Sequence, residues 1–289
     1  MDITSIFRFL TRQMGRRAVA CLPMCFLLAA DITASVLVAP TAVYLTERDR
    51  TGRLTVQNPS DKPKEISIYL SFGIPESDSL GNVSVRLQDS TSIDPRSAAE
   101  WIRVFPRKFV LPAGGEQVVR FVANPPGDLA DGEYWARIVI RSEAGQTSIP
   151  SATQVDGITT TLNMVMQTAI ALKYRMGNLV SKVEVTDTQV RASDSAVSVL
   201  VDMENRGNVS YVGLLVSRLL DADRREISYK EIDLAVYRKL TRGFTLPVTA
   251  GEFRKPYKVE ISISNEGRKD IRAEYMVPGN SIQYSVLVE

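Results

Sequence analysis

The chain has 289 residues, with 44% hydrophobic and 24% charged side chains, which is apolar material for two cores of ordinary domain size and excludes a disordered chain. It contains no histidine and only two cysteines, Cys21 and Cys25, so imidazole catalysis, imidazole proton shuttling and most zinc sites are excluded. The formal charge of +2 arises in residues 1–35, which hold four arginines and two acids; the remainder carries 31 bases and 31 acids, without the basic excess that a nucleic-acid partner requires.

In chain order, the first segment reads as an export signal. Arg8, Arg12, Arg16 and Arg17 form a positive stretch, and residues 18–30 (AVACLPMCFLLAA) form an apolar run of 13, too short for the ~20 residues of a membrane-spanning helix. Small residues at Thr33, Ala34 and Ser35 suit cleavage, so residues 1–35 are assigned to a signal peptide and no transmembrane anchor is expected after its removal. Arg16-Arg17 lacks the further elements of a twin-arginine signal, and Cys21 lacks the preceding apolar run of a lipidated cysteine. Removal would take both cysteines with it, leaving burial alone to stabilise an exported protein.

The remainder reads as all-β. Residues 53–58 (RLTVQN), 65–71 (EISIYLS), 117–123 (QVVRFVA), 133–141 (EYWARIVIR), 195–203 (SAVSVLVDM) and 258–264 (KVEISIS) are short, rich in β-branched side chains and alternate with period two. Turn clusters at 58–61, 112–115, 124–127 and 205–208 separate them, the spacing of antiparallel sandwiches. No amphipathic helix is expected; residues 221–239 are read as a strand pair, and 142–160 as a Ser/Thr/Gln/Gly-rich loop. Phosphate-binding glycine loops and nucleophile elbows are absent, and Asp128, Asp131 and Glu133 read as turn chemistry rather than as a catalytic or metal site.

One segment is longer than a solvated strand needs to be. Residues 159–175 (TTTLNMVMQTAIALKYR) run without glycine or proline. One parity carries Leu162, Met164, Met166, Thr168, Ile170, Leu172 and Tyr174, an almost wholly apolar row. That row either lines the chain's own core or is offered in part to another protein by edge pairing, a role that adaptable methionines suit.

VAPTAVYLTE from Val38, the strand ending Gln57-Asn58-Pro59, WIRVFPRKFVLPAGGEQVVRF from Trp101, DGEYWARI from Asp131 and the long strand ending LKYR at Arg175 stand in the order and spacing of the periplasmic pilus-assembly chaperones, a family the chain resembles over essentially its whole length after residue 35. The resemblance implies two immunoglobulin-like β-sandwiches in an angled, boomerang-like arrangement, spanning 36–176 and 177–289. It implies a periplasmic, non-enzymatic chaperone, without cofactor or metal, that completes unfinished pilin-like subunits by lending them a strand. An outer-membrane usher is a further partner, and the lent strand is a route to self-association. By position in the motif the groove-filling side chains are Leu162, Met164 and Met166, with Ile170 further along; burying three such side chains would contribute about 5 to 9 kcal/mol before ordering costs.

Typical members bind the client's terminal carboxylate with an arginine and a lysine, at positions matched here by Ala42 and Ala171. The nearest substitutes are Lys173 and Arg53, whose plainer reading is a solvated strand face. Arg175 and Glu133 match an ion pair assigned to domain orientation. The alternative function is an envelope or surface binding protein that uses the same two sandwiches with its long strand satisfied internally.

Overall fold

A computed structural model describes residues 36–88, 94–144, 165–249, 255–266, 268 and 270–288. The expected signal segment, Leu162 and Met164 therefore lie outside the described residues. The first half contains β1 (Leu37–Ala39), β2 (Ala42–Thr46), β3 (Thr51–Gln57), β4 (Lys64–Ser71), β5 (Pro75–Ser77), β6 (Val83–Val85), β7 (Ile102–Phe105), β8 (Lys108–Leu111), β9 (Glu116–Ala123), β10 (Gly132–Ala144) and β11 (Val165–Met176). Then follow β12 (Val183–Ala192), β13 (Ala196–Asn205), β14 (Tyr211–Leu220), β15 (Glu226–Val236), β16 (Lys239–Pro247), β17 (Tyr257–Ser264) and β18 (Ile282–Val288); the single helical element described is the 3-10 turn Ala273–Tyr275.

Two sandwiches result. In the first, the sheet β1-β3-β9-β7 faces the sheet β2-β11-β10-β4-β8; in the second, β12-β13-β16 faces β15-β14-β17-β18. These are the strand orders of immunoglobulin-like folds, with the chain switching sheets between β1 and β2 so that β2 lies parallel to β11. Period-two alternation is the cause. In β9, Val119, Phe121 and Ala123 are buried while Val118, Arg120 and Val122 face out; in β17, Tyr257, Val259, Ile261 and Ile263 are buried beneath Lys258, Glu260 and Ser262. One core gathers Leu45, Leu54, Phe121, Ile138, Leu172 and Tyr174; the other gathers Val199, Met203, Tyr211, Leu215, Leu246 and Ile261.

Matching asparagines close one end of each sandwich. Asn58 Nδ2 donates to the carbonyls of Lys62, Leu111 and Pro112, and Asn205 Nδ2 to those of Val209, Val236 and Tyr237. Each thereby satisfies backbone acceptors that the turn takes out of sheet pairing. The first sandwich ends at Gly177, whose φ of +63° lies in the left-handed region and where a Cβ would stand 1.9 Å from Asp131 Oδ1.

The expected strand pair over 221–239 is corrected to a turn followed by one strand. The buried Asp221 carboxylate accepts the backbone N–H groups of Asp223 and Arg225 and bonds Arg225 Nε at 2.9 Å, which fixes a tight 221–225 reversal. β15 then runs unbroken to Val236 and pairs with β14, while β16 joins the opposite sheet.

Candidate partner-binding strand and the junction beneath it

β11 has two unlike halves. On one side it pairs with β10 over its whole length, from Val165↔Glu143 to Met176↔Gly132. On the other side β2 pairs only with Ala171 through Arg175, so over Val165–Ile170 no described strand occupies that edge. In this open half Val165 is 42% and Met166 37% exposed, apolar surface beside an unused row of backbone donors and acceptors.

The apolar parity becomes core at Ile170, the last residue of the open half, and stays core through the closed half. Ile170 is 6% exposed, Leu172 and Tyr174 are buried, and Trp101 packs edge-on against Tyr174 with ring centroids 5.0 Å apart. The expectation that Ile170 fills a partner's groove is therefore corrected: it belongs to the chain's own first core. The physical reason is the closure of the sandwich over the strand from Ile170 onward, which seals the same row of side chains that Met166 leaves accessible.

The other parity meets the second sandwich. Glu133 on β10 and Arg175 on β11 are register partners, and Arg175 Nε lies 2.7 Å from Glu133 Oε2. Arg175 Nη1 donates to the Tyr275 carbonyl, while Glu133 Oε1 accepts Trp135 Nε1–H at 2.7 Å, the Ser210 N–H at 3.2 Å and the Ser210 hydroxyl at 2.5 Å. Groups more than 70 residues apart in sequence thus close on one carboxylate.

Lys173 joins the same cluster. It is 3% exposed, 3.4 Å from Glu133 Oε1, donates to Ser210 Oγ at 2.5 Å and lies 4.9 Å from the Tyr237 ring and 5.8 Å from the Tyr44 ring. Arg175 lies 4.7 Å from the other aromatic contact, Tyr44, which stacks on Tyr275 at 4.6 Å. Both readings given to Lys173 by sequence are corrected: its strand face is covered rather than solvated, and its charge is engaged by Glu133 instead of standing ready for a partner's carboxylate. Arg53 is exposed on β3 in the opposite sheet, in register with Arg120, and lines a groove of about 920 Å³ together with Ala42, Tyr44, Asp270 and Arg272.

Burial on its own would raise the Glu133 carboxyl pKa, but Lys173 and Arg175, with the hydrogen bonds from Ser210 and Arg175, more than reverse this and hold it at about 2. For Lys173, burial pulls the pKa down and Glu133 outweighs it, leaving a net rise. Burial also raises the Tyr44 phenol, against the pull of the two cations. Glu133 and Lys173 are thus both charged at neutral pH.

Ala42 and Ala171 face each other across the parallel pair. Sequence reasoning missed Trp135 and Arg137, although they continue the period-two face begun by Glu133; it had no means of finding Ser210, Tyr237 and Tyr275, which the second sandwich brings in. Two further contacts cross the same boundary: Arg238 Nη2 bonds both Asp94 carboxylate oxygens at 2.8 Å, and the Thr241 N–H bonds Ser77 Oγ at 2.8 Å. Among the described residues there is no group of three or more metal-ligating side chains, and no helix is long and apolar enough to cross a membrane.

No family profile and no curated protein matches the chain. Among solved structures it is similar to the Pseudomonas aeruginosa CupB2 chaperone (12% identity, 88% of this chain and 100% of that one, TM-score 0.42), the periplasmic chaperone SfaE (15%, 86% and 98%, 0.42) and a Salmonella enterica SafA pilin in complex with the SafB chaperone (16%, 88% and 96%, 0.40).

Proposed function

We propose that the protein is an exported, non-enzymatic chaperone that holds an incomplete β-sandwich subunit by lending it the open half of β11. The observation that carries this reading is the asymmetry of that strand: twelve residues pair with β10, but β2 covers only the last five register positions before Met176. A guest strand laid along Val165–Ile170 would take up the unused backbone groups, and Met166 would enter the gap between its sheets. Leu162 and Met164 extend the same apolar parity upstream in sequence. No bond is made or broken, which agrees with a chain without histidine.

The periplasm is the compartment of this activity, pilin-like subunits are its clients, an usher of the outer membrane is the receiving partner, and between clients the open edge pairs with a second copy. The Glu133 cluster serves domain orientation. Co-expression with a pilin-like subunit that aggregates alone tests the reading: the wild-type chain keeps the subunit soluble and co-purifies with it, whereas Met166→Asp folds normally and loses it. Retention of the subunit by Met166→Asp at wild-type yield would overturn the assignment of β11.

A further inference from the structure

The sheet β12-β13-β16 ends on β16, which pairs with β13 from Lys239↔Glu204 to Pro247↔Ala196 and has its other side at the sheet edge. In an antiparallel ladder, alternate residues turn both backbone groups away from the partner strand. On β16 these include Thr241 and Gly243, whose N–H groups reach Ser77 Oγ at 2.8 Å and the Gly81 carbonyl at 3.0 Å. Thr245 has the same parity, and among the described residues its N–H has no partner; Pro247, next in the series, has no N–H to offer. Such an edge is a template for another strand. β12, at the far end of the sheet, is interrupted by a register shift between Val185 and Asp187, whereas β16 pairs without a shift throughout.

What covers the edge comes from the first half of the chain. The β5–β6 hairpin has a ladder of only three residue pairs, Pro75↔Val85 to Ser77↔Val83, too little to hold without a seat. Its seat is the second sandwich: Val83 packs against the second core, and Gly81 meets Gly243 backbone to backbone. The hairpin nevertheless makes only two hydrogen bonds to the edge, one of them through a side chain. A full strand would do better, because Thr241, Gly243 and Thr245 each offer both an N–H and a carbonyl. The hairpin holds its place because it is tethered, at an effective concentration of about a millimolar, which a free strand does not match.

We propose that β16 carries a second strand-pairing edge, that the chain's own β5–β6 hairpin masks it, and that the partner kept out is the same edge of a second copy. Two such edges are self-complementary about a two-fold axis. Centred on Gly243, the antiparallel pairing sets Thr241 opposite Thr245, Arg242 opposite Phe244 and Leu240 opposite Leu246, so no like charges meet. The hairpin therefore does more than brace the junction: it holds the second sandwich as a closed unit. This inference does not depend on strand lending by β11, which lies in the other sandwich.

Sedimentation equilibrium of the full chain tests this beside a variant in which residues 76–84 are replaced by two glycines. The variant is expected to self-associate at least about tenfold more tightly than the wild-type chain. Adding Thr245→Pro to it removes one outward N–H, leaves those of Thr241 and Gly243 in place, and should abolish the gain. Association through the β11 edge is common to all these chains and cancels in the comparison. A variant no more associated than wild type overturns the inference, and so does a gain that Thr245→Pro leaves intact, which would place the new contact elsewhere. Should the glycine replacement fail to fold, Ser77→Ala combined with Asp78→Ala is measured in the same way. That pair removes the hydroxyl that holds the Thr241 N–H and the carboxylate that fixes the hairpin turn, and keeps Val83. The same two results decide.

Discussion

Ser210 and Glu133 are joined through both the backbone N–H and the hydroxyl of the serine, at 3.2 and 2.5 Å, although they belong to different sandwiches. The carboxylate cannot keep these bonds if the second sandwich swings away, and it cannot stay buried without hydrogen bonds and a cation. Glu133 thus ties its own ionisation to a contact between the two sandwiches. Removing it leaves Lys173 and Arg175 buried and unmatched, so Glu133→Gln should destabilise the protein by about 3 to 5 kcal/mol in denaturant titration. A loss below about 1 kcal/mol would mean that the cluster is not a structural hub.

The same residue sets an acid limb. Its folded-state pKa of about 2 lies below the ordinary carboxyl value of 4.5, so its contribution is fully present above about pH 4.5 and fades as pH falls toward 2. The difference corresponds to about 3 kcal/mol. Stability curves from pH 7 to 2 should therefore fall less steeply for Glu133→Gln than for the wild-type chain below pH 4.5, and parallel curves would contradict the assignment.

Lys173 should behave differently from its partner. Arg175 still neutralises Glu133 when the lysine is gone, and a methionine fills a similar volume between Tyr44 and Tyr237 without a charge to desolvate. Lys173→Met is expected within about 1 kcal/mol of wild type, far from the effect of Glu133→Gln. Equal losses in the two variants would show that both cations are needed to hold the carboxylate.

How far the sequence could be read follows from which forces are local. Alternation at Val119, Phe121 and Ala123 or at Val259, Ile261 and Ile263 announces a strand and its buried face, because side-chain direction depends only on the strand itself. The long apolar row ending at Tyr174 was equally visible, but the point on it where core gives way to surface was not. That point lies between Met166 and Ile170 and is set by how far the first core reaches along β11, a tertiary fact. Lys173 was read as solvated for a related reason: its cover consists of Tyr237 and Ser210, which lie 64 and 37 residues away in sequence and are brought in by the second sandwich.

Met166 and Ile170 therefore separate function from folding on one row. Ile170→Ala opens a cavity in the first core and should cost about 2 to 5 kcal/mol of stability. Met166→Ala removes only surface contacts and should change stability by less than about 0.5 kcal/mol while weakening capture of a subunit. Denaturant midpoints and subunit pull-down on the same preparations check both, and a core-sized loss at Met166 would place it inside the chain's own sandwich.

The β5–β6 hairpin offers a test of the boundary away from the charged cluster. Its turn is fixed by Asp78, whose carboxylate accepts the N–H groups of Leu80 and Asn82, and Gly81 at φ +74° lets the Gly243 N–H reach its carbonyl at 3.0 Å. The two backbones are so close that a Cβ on Gly243 would stand 2.1 Å from the Leu80 carbonyl oxygen, and neither backbone is a flexible side-chain end that could swing aside. Gly243→Ala should therefore lift the hairpin from β16 and break the Thr241 N–H bond to Ser77 Oγ, at a cost of about 1 to 3 kcal/mol. Hydrogen exchange should show the amides at 241 and 243 losing protection while those of Val199 and Leu215, deep in the second core, keep theirs. Unchanged protection at 241 would mean that the hairpin does not brace the second sandwich, whereas loss at Val199 as well would mean that the sandwich depends on the hairpin for its fold.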